Sequence, residues 1–224
     1  MFLTRFRINT ARRGSRKLLS SPQAMHAAVL AGFPVPEDHS HTDARTLWRL
    51  DQNADRQTTL FIVSPGKPDL THLVEQAGWP TIDTWLTRPY QPFLDTLNDG
   101  QQWAFRLTAN PVRSGRRKDG ADTQRFGHVT ADQQTAWLLQ RTERNGFTIA
   151  DQSDGRPNLL LHQRQSLRFS RRTGDRPVSL ITATYDGVLT ITDAPTFRST
   201  LKQGIGHARA YGCGLLTLAT AHSR

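Results

Sequence analysis

The chain has 224 residues and a formal net charge of +10, with a sequence pI near 10.9. A protein this basic usually meets a polyanion, because Arg and Lys neutralise phosphates and release bound counterions. A solvated basic surface without a partner is the alternative that charge leaves open. The single cysteine, Cys213, excludes an intrachain disulfide, and no apolar run approaches the roughly 18 residues that span a bilayer. We therefore expect a cytoplasmic protein with no membrane partner.

The first half of the sequence predicts strand, helix, strand, strand, helix and strand in chain order. Residues 2–8 alternate between apolar and polar side chains, which is typical of a strand. Ser21 and Pro22 begin a helix, because Ser caps free N–H groups and Pro fits the first helical position. Asp69 begins a second, short helix that ends near Gly78. The other predicted strands are residues 47–50, 58–63 and 82–86.

The second half repeats this order. Thr130 and Gln133 form a capping box that begins a helix, and Gly146 ends it. Asp193 caps a second helix that runs to Gln203. The predicted strands are residues 103–109, 147–150, 159–169, 178–192 and 215–218, and the third and fourth of these form a long hairpin.

Two consecutive β-α-β-β-α-β patterns predict an α+β fold of two tandem ferredoxin-like (RRM-like) domains. The Pro-rich, polar stretch 89–100 is the expected linker. We therefore place the N-terminal domain at residues 1–88 and the C-terminal domain at residues 101–224.

The first predicted helix carries His26, a candidate proton-transfer residue. RNA holds its own nucleophile, the 2′-OH, so cleavage needs in-line geometry, a proton-transfer group and positive charge near the phosphate. Histidine has a reference pKa of about 6.5 and does this proton work at neutral pH. A packing or surface role is the alternative for a lone helical histidine. The basic residues that precede the helix and could hold the RNA backbone are Arg12, Arg13, Arg16 and Lys17.

Three further segments are candidates for RNA contact. A glycine-rich segment, residues 204–216, allows close backbone approach, and its N–H groups could cradle phosphate. Two arginine-rich segments suit phosphates and guanine edges. Turn-forming glycines and charges that block edge-strand pairing are the alternatives. The candidate residues are Gly204, Gly206, Arg209, Gly212 and Gly214 in the first segment, Arg164, Arg168, Arg171 and Arg172 in the long hairpin, and Arg113, Arg116, Arg117 and Lys118 in a second basic loop.

One loop, residues 37–43, combines histidines with carboxylates. His39 and His41 lie beside Glu37 and Asp43, a set that can bind a divalent metal. A polar loop without metal is the favoured interpretation, because no second carboxylate cluster has matching spacing. We therefore expect no metal and no cofactor, and a metal-dependent nuclease stays as an alternative function.

In the order and spacing of its motifs, the chain resembles the CasE family of CRISPR RNA endoribonucleases, the repeat-processing subunit of type I-E Cascade. The resemblance runs from end to end of the chain. It is carried by residues 2–4 (FLT), 21–26 (SPQAMH), 105–111 (FRLTANP), 136–138 (AWL), 185–193 (YDGVLTITD), and 204–206 with 212–216 (GIG and GCGLL).

The resemblance implies metal-independent cutting at the base of a CRISPR repeat stem-loop, with His26 as the catalytic histidine. It implies 2′,3′-cyclic or 3′-phosphate and 5′-OH ends, and retention of the product RNA with other Cascade subunits. Arg168, Arg171 and Arg172 fall where the family has a basic hairpin. Some relatives have a tyrosine three residues before the histidine, whereas this chain has Gln23, a second candidate catalytic residue. A non-catalytic RNA-binding module is the alternative.

Overall fold

Two antiparallel sheets organise the chain, and the computed structural model describes residues 1–34, 45–53, 55–80, 84–116, 123–170, 175 and 177–221. The first sheet has the order β2-β3-β1-β4. Its elements are β1 (Phe2–Ile8), α1 (Arg13–Leu19), α2 (Pro22–Leu30), β2 (Leu47–Gln52), β3 (Thr58–Ser64), α3 (Thr71–Ala77) and β4 (Trp85–Pro89).

A short helix, α4 (Gln91–Asp95), leads into the second sheet, whose order is β11-β5-β10-β8 with β9 also paired to β10. Both sheets therefore place their strands in the same fourth-first-third-second order, the antiparallel topology of ferredoxin-like domains. The elements of this half are β5 (Gln102–Ala109), β6 (Val112–Arg116), β7 (Thr123–Gly127), α5 (Ala131–Thr142), β8 (Phe147–Ile149), β9 (Leu159–Phe169), β10 (Val178–Ile191), α6 (Ala194–Gln203) and β11 (Leu216–Thr220).

Local signals begin the helices where the sequence predicts. Ser21 Oγ accepts the Ala24 N–H at 3.3 Å, with Pro22 in the first position of α2. The capping box of α5 is present, with Thr130 as its first residue. Gly146 has a φ of +78° where the chain turns after α5, a conformation that favours glycine. These ends are fixed by bonds within a few residues.

Pairing between distant strands moves other boundaries. The predicted strand 82–86 is wrong in position, because β4 begins at Trp85 and pairs with β1 through Pro89. The prediction that Arg113 and Arg116 lie in a loop is also wrong, because both residues lie in β6, which pairs with β7. Helix α1 was not predicted from the sequence. Strand pairing across the sheets, rather than local propensity, decides the bounds of β4 and β6.

The core has two parts. One lies between the first sheet and its helices, with Phe6, Met25, Val29 and Leu60 buried. The other lies between the second sheet and its helices, and it extends to Leu47 and Val63 of the first sheet and to Leu94 and Leu97 of the predicted linker. The two halves therefore share apolar packing. Among the described residues, no helix is long and apolar enough to cross a membrane.

Candidate nucleic-acid interface

His26 lies in the second turn of α2, between buried Met25 and exposed Ala27. Its Nδ1 is buried and has no hydrogen-bond partner among the residues that the structure describes. Burial lowers the pKa of His26 below its usual value, since desolvation disfavours the imidazolium. The ring is therefore neutral at pH 7 and able to accept a proton.

Gln23 shares the half-buried side of α2 with His26. The two residues are three apart on one helix, the spacing at which side chains are neighbours. A glutamine side chain has no titratable proton, so Gln23 can orient a group or donate a hydrogen bond but cannot act as an acid or base.

Helix α1 presents the predicted basic residues to solvent. Arg13, Arg16 and Lys17 are all exposed. Arg12, one residue earlier, differs, because its Nη1 donates to Val74 O at 3.2 Å and to Gly78 O at 3.1 Å. Arg12 thus holds α1 to the end of α3, while its three basic neighbours leave their charges open to a polyanion.

The glycine-rich segment packs against the helix that carries His26. A short 3-10 turn at Arg209–Tyr211 contacts α2, which the sequence alone does not indicate. Next to this turn, Gly212 has a φ of +78°, and a Cβ there would lie 2.7 Å from the ring of Trp48 in β2. A glycine is needed because both the backbone conformation and the space exclude a side chain.

The N–H groups of this segment largely serve the fold. Those of Gly204, Gly212 and Gly214 donate to Thr200 O, Arg209 O and Thr108 O at 2.8, 3.4 and 2.7 Å. These three N–H groups are therefore not available to cradle a phosphate, contrary to the expectation for them. Gly206 lies instead against Trp137, where an added Cβ would come within 3.0 Å of the ring.

Arginines from separate elements converge around the glycine-rich segment. Burial, followed by the charges of Arg125, Arg209 and Arg141, lowers the pKa of His207. Arg141 lies over the Trp137 ring at 4.4 Å, and Arg209 Nη2 donates to Gly204 O at 3.0 Å. Arg125 and Arg141 were not predicted from the sequence, because neither lies in a run of basic residues.

The predicted hairpin contributes one exposed candidate and one residue that is already bonded. Arg168 in β9 is exposed and pairs in register with Ser179. Arg164 instead donates from Nε to Gln134 Oε1 at 2.8 Å and from Nη2 to Val129 O at 2.5 Å. The end of β9 reaches the glycine-rich segment, because Phe169 contacts Tyr211 edge to face at 4.9 Å. Arg171 and Arg172 lie outside the described residues.

In the β6–β7 hairpin, the exposed Arg113 lies over the ring of Phe126 at 5.5 Å. Arg116 is in β6 by its backbone, and Arg117 and Lys118 lie outside the described residues. This hairpin and the β9–β10 hairpin both belong to the second half of the chain, whereas α1 and α2 belong to the first half.

A cleft of about 470 Å³ lies between the start of α2 and the second sheet. Pro22 and Met25 line it from α2, and Gln165, Thr184 and Tyr211 line it from the second half. The candidate metal loop, residues 37–43, lies outside the described residues. Within the described ranges, no group of three or more His, Cys, Asp or Glu side chains could hold a metal ion.

Comparison with known proteins agrees with this arrangement. A family model described as CRISPR associated protein matches residues 1–220. The chain is 28% identical to the CRISPR-associated endoribonuclease Cse3 of Thermus thermophilus, over 98% of this chain and 100% of that protein. It is also 28% identical to the CRISPR system Cascade subunit CasE of Escherichia coli, over 77% of this chain and 88% of that subunit.

Solved structures give the same answer for the fold. Cse3 bound to a 19 nt RNA has a TM-score of 0.79 at 27% identity and covers 98% of this chain and 100% of its own. Cas6e from Escherichia coli has a TM-score of 0.65 at 26% identity, over 99% and 100% of the two chains. The fold is thus two ferredoxin-like domains, and with 220 residues matched by one family model the chain belongs to the CRISPR-associated protein family.

Proposed function

We propose that this protein binds the stem-loop of CRISPR repeat RNA and cuts precursor RNA at the base of the stem, without a metal. The observation that carries the proposal is the packing of the His26 helix against a glycine-rich segment surrounded by arginines. The relatives support it, since one is named an endoribonuclease and its structures include RNA-bound and pre-cleavage complexes.

The chemistry follows from the neutral imidazole. His26 accepts the proton of the 2′-OH as the 2′-oxygen bonds to phosphorus. The bond from phosphorus to the 5′-oxygen then breaks, and that oxygen takes a proton from water, which leaves a 2′,3′-cyclic phosphate and a 5′-OH. His26 then releases its proton to solvent. Exposed Arg13, Arg16 and Lys17 on α1 hold the adjoining phosphates, because arginine and lysine neutralise backbone charge. Gln23 orients the reacting groups.

The cut RNA stays bound and enters a Cascade assembly in the cytoplasm. A curated relative is a Cascade subunit, which supports this partner. Exposed Arg168 in β9 and Arg113 in β6 contact the RNA stem from the second half of the chain. Their partners are phosphates, because side chains ordinarily cannot read the deep, narrow major groove of A-form RNA.

The decisive experiment incubates protein with the repeat RNA of the source genome in EDTA. We expect one cut at the stem base, and we expect a 2′-deoxy nucleotide at the cut site to abolish it. Binding without any cut would favour the RNA-binding module. A cut that requires added metal, or that occurs in the deoxy RNA, would contradict the 2′-OH mechanism.

A further inference from the structure

Arg49, in the middle of β2, is a fully buried arginine that joins the two halves of the chain. Its relative exposure is 1%. Nη1 donates to Arg106 O at 2.7 Å and to Leu215 O at 2.9 Å, and Nη2 donates to Thr217 Oγ1 at 2.7 Å. These three acceptors belong to β5 and to the chain around the start of β11, in the second half.

The charge of Arg49 is balanced within its own strand. Nε and Nη2 donate to the two carboxylate oxygens of Asp51 at 2.6 and 2.8 Å. All five guanidinium N–H groups therefore have acceptors, which is the full capacity of this side chain. We call Arg49, Asp51, Arg106, Leu215 and Thr217 the seam. A buried cation bonded in this way fixes one geometry, because any shift leaves a donor unpaired.

The seam includes the end of the glycine-rich segment, because Arg49 bonds to Leu215 O. Leu215 follows the last glycine of the glycine-rich segment, so the Arg49 bond holds the end of that segment. Two residues that precede Arg49 in β2 pack against two other points of the segment, since an added Cβ would lie 3.0 Å from Leu47 at Gly204 and 2.7 Å from Trp48 at Gly212. Trp48 also packs in the same core as Met25 of α2. Strand β2 thus connects the His26 helix to the segment.

We propose that Arg49 is a positioning residue for RNA cleavage, which holds the glycine-rich segment against α2 so that RNA bound by the second half meets His26. The proposal rests on the proposed function. Arg49 does not touch RNA in this scheme. A displacement of about 1 Å between reacting groups can lower a rate by roughly 10²-fold, so a rigid joint between the halves has a direct kinetic value.

The test measures single-turnover cleavage with protein in saturating excess. Under this condition a smaller folded fraction does not change the observed rate constant as long as the folded protein still saturates the RNA, so a loss of folded protein alone is silent. We expect Arg49→Met and Arg49→Lys to cut about 10- to 100-fold more slowly while the Kd for repeat RNA stays within about threefold. Lysine fails because its three N–H donors cannot replace the five of the planar guanidinium.

A milder variant keeps the test valid if the Arg49 variants fail to fold. Thr217→Val removes one acceptor of Arg49, and we expect about a three- to tenfold slower cut, in the range of one lost hydrogen bond. Thr220→Val makes the same change at an exposed position of the same strand and should cut at the wild-type rate.

A distance measurement tests the joint independently of activity. Spin labels on Glu75→Cys in α3 and Gln140→Cys in α5 report the separation of the halves, since both positions are exposed. Native Cys213 stays unlabelled, because it is fully buried and burial raises its pKa to about 12. We expect one narrow distance in the wild type and a broader or shifted distribution in Arg49→Met.

The outcomes separate the two proposals. Failure of the wild-type protein to cut would overturn the proposed function, while the distance measurement would still test whether Arg49 holds the halves. Wild-type rates in Arg49→Met, Arg49→Lys and Thr217→Val, or slow rates with an unchanged distance distribution, would overturn the positioning role.

Discussion

On α1, Arg13, Arg16 and Lys17 leave their charges in solvent, whereas Arg49 in the seam is 1% exposed and uses every N–H group within the protein. The two regions contain the same kinds of basic residue with opposite roles. Charge on α1 is available to a polyanion, and charge in the seam is already neutralised by Asp51. The net charge of +10 therefore counts arginines that cannot contact RNA as well as those that can.

The largest expected effect is on catalysis, at His26 in α2, the helix that follows α1. His26→Ala should slow single-turnover cutting by about 10²–10⁴-fold, or roughly 3–5.5 kcal/mol in the barrier, because the proton acceptor is lost. RNA affinity should change little, since a neutral imidazole adds little to a phosphate contact. His72→Ala is the matched control, because His72 bonds Ala28 O of the same helix and should keep most of the rate. Near wild-type cutting by His26→Ala would remove His26 from the mechanism.

Substitution of Arg49 in the seam should lower the free energy of unfolding. Arg49→Met removes the donor to two carbonyl groups and leaves Asp51 with a longer contact to Arg106 Nη1 at 3.8 Å. Loss of one partner of a buried ion pair costs about 3–5 kcal/mol, and the remaining Arg106 contact puts the expected loss at the lower end of that range. Urea unfolding should show the loss as a lower midpoint. The salt dependence of RNA binding should stay unchanged in this variant, and a smaller salt slope would show that Arg49 contacts phosphate.

The pH dependence tests the protonation state of His26. Burial lowers its pKa, so the neutral base predominates above the usual value of about 6.5. As pH falls through the pKa of the bound enzyme, the rate should drop about tenfold per unit, because protonation removes the acceptor. Single-turnover rates from pH 5 to 8 measure this effect. A rate that rises in acid would instead identify His26 as the proton donor.

Gln23 should have a smaller effect than His26. Gln23→Ala removes one hydrogen-bonding group, so we expect a loss of about 1–2 kcal/mol, or roughly tenfold in rate. Gln23→Tyr should keep activity. Single-turnover cleavage rates for both variants measure the contribution of Gln23. If Gln23→Ala cuts as slowly as His26→Ala, Gln23 is an essential positioning group.

The smallest effects come from two adjacent arginines that differ only in their contacts. Arg12→Met should lower the stability by about 1 kcal/mol, because its bonds to Val74 O and Gly78 O are lost, with an unchanged salt slope. Arg13→Met should leave stability unchanged and reduce the salt slope by about 0.7–0.9 if it contacts one phosphate. Urea unfolding and a salt titration of both variants would show whether exposure separates the two roles.

The resemblance identified the family without the structure, and the comparisons confirm it. The roles of His26 and Gln23 stay predictions, although the structure places both on one helix beside the glycine-rich segment. The roles of the basic residues also stay predictions. Arg164 could not be distinguished from Arg168 in the sequence, because both occur in the same strand and only the fold bonds one of them to Gln134.

Local sequence signals were sufficient to predict the elements whose determinants lie within a few residues. Alternation defined β1 with its observed bounds, Ser21 and Asp193 marked the starts of α2 and α6, and Gly146 marked the end of the α5 region. The seam depends on the folded arrangement, because Arg49 bonds to acceptors that are 57 to 168 residues away in the chain. A hydrogen bond over that separation leaves no local pattern, so it exists only once both sheets have formed.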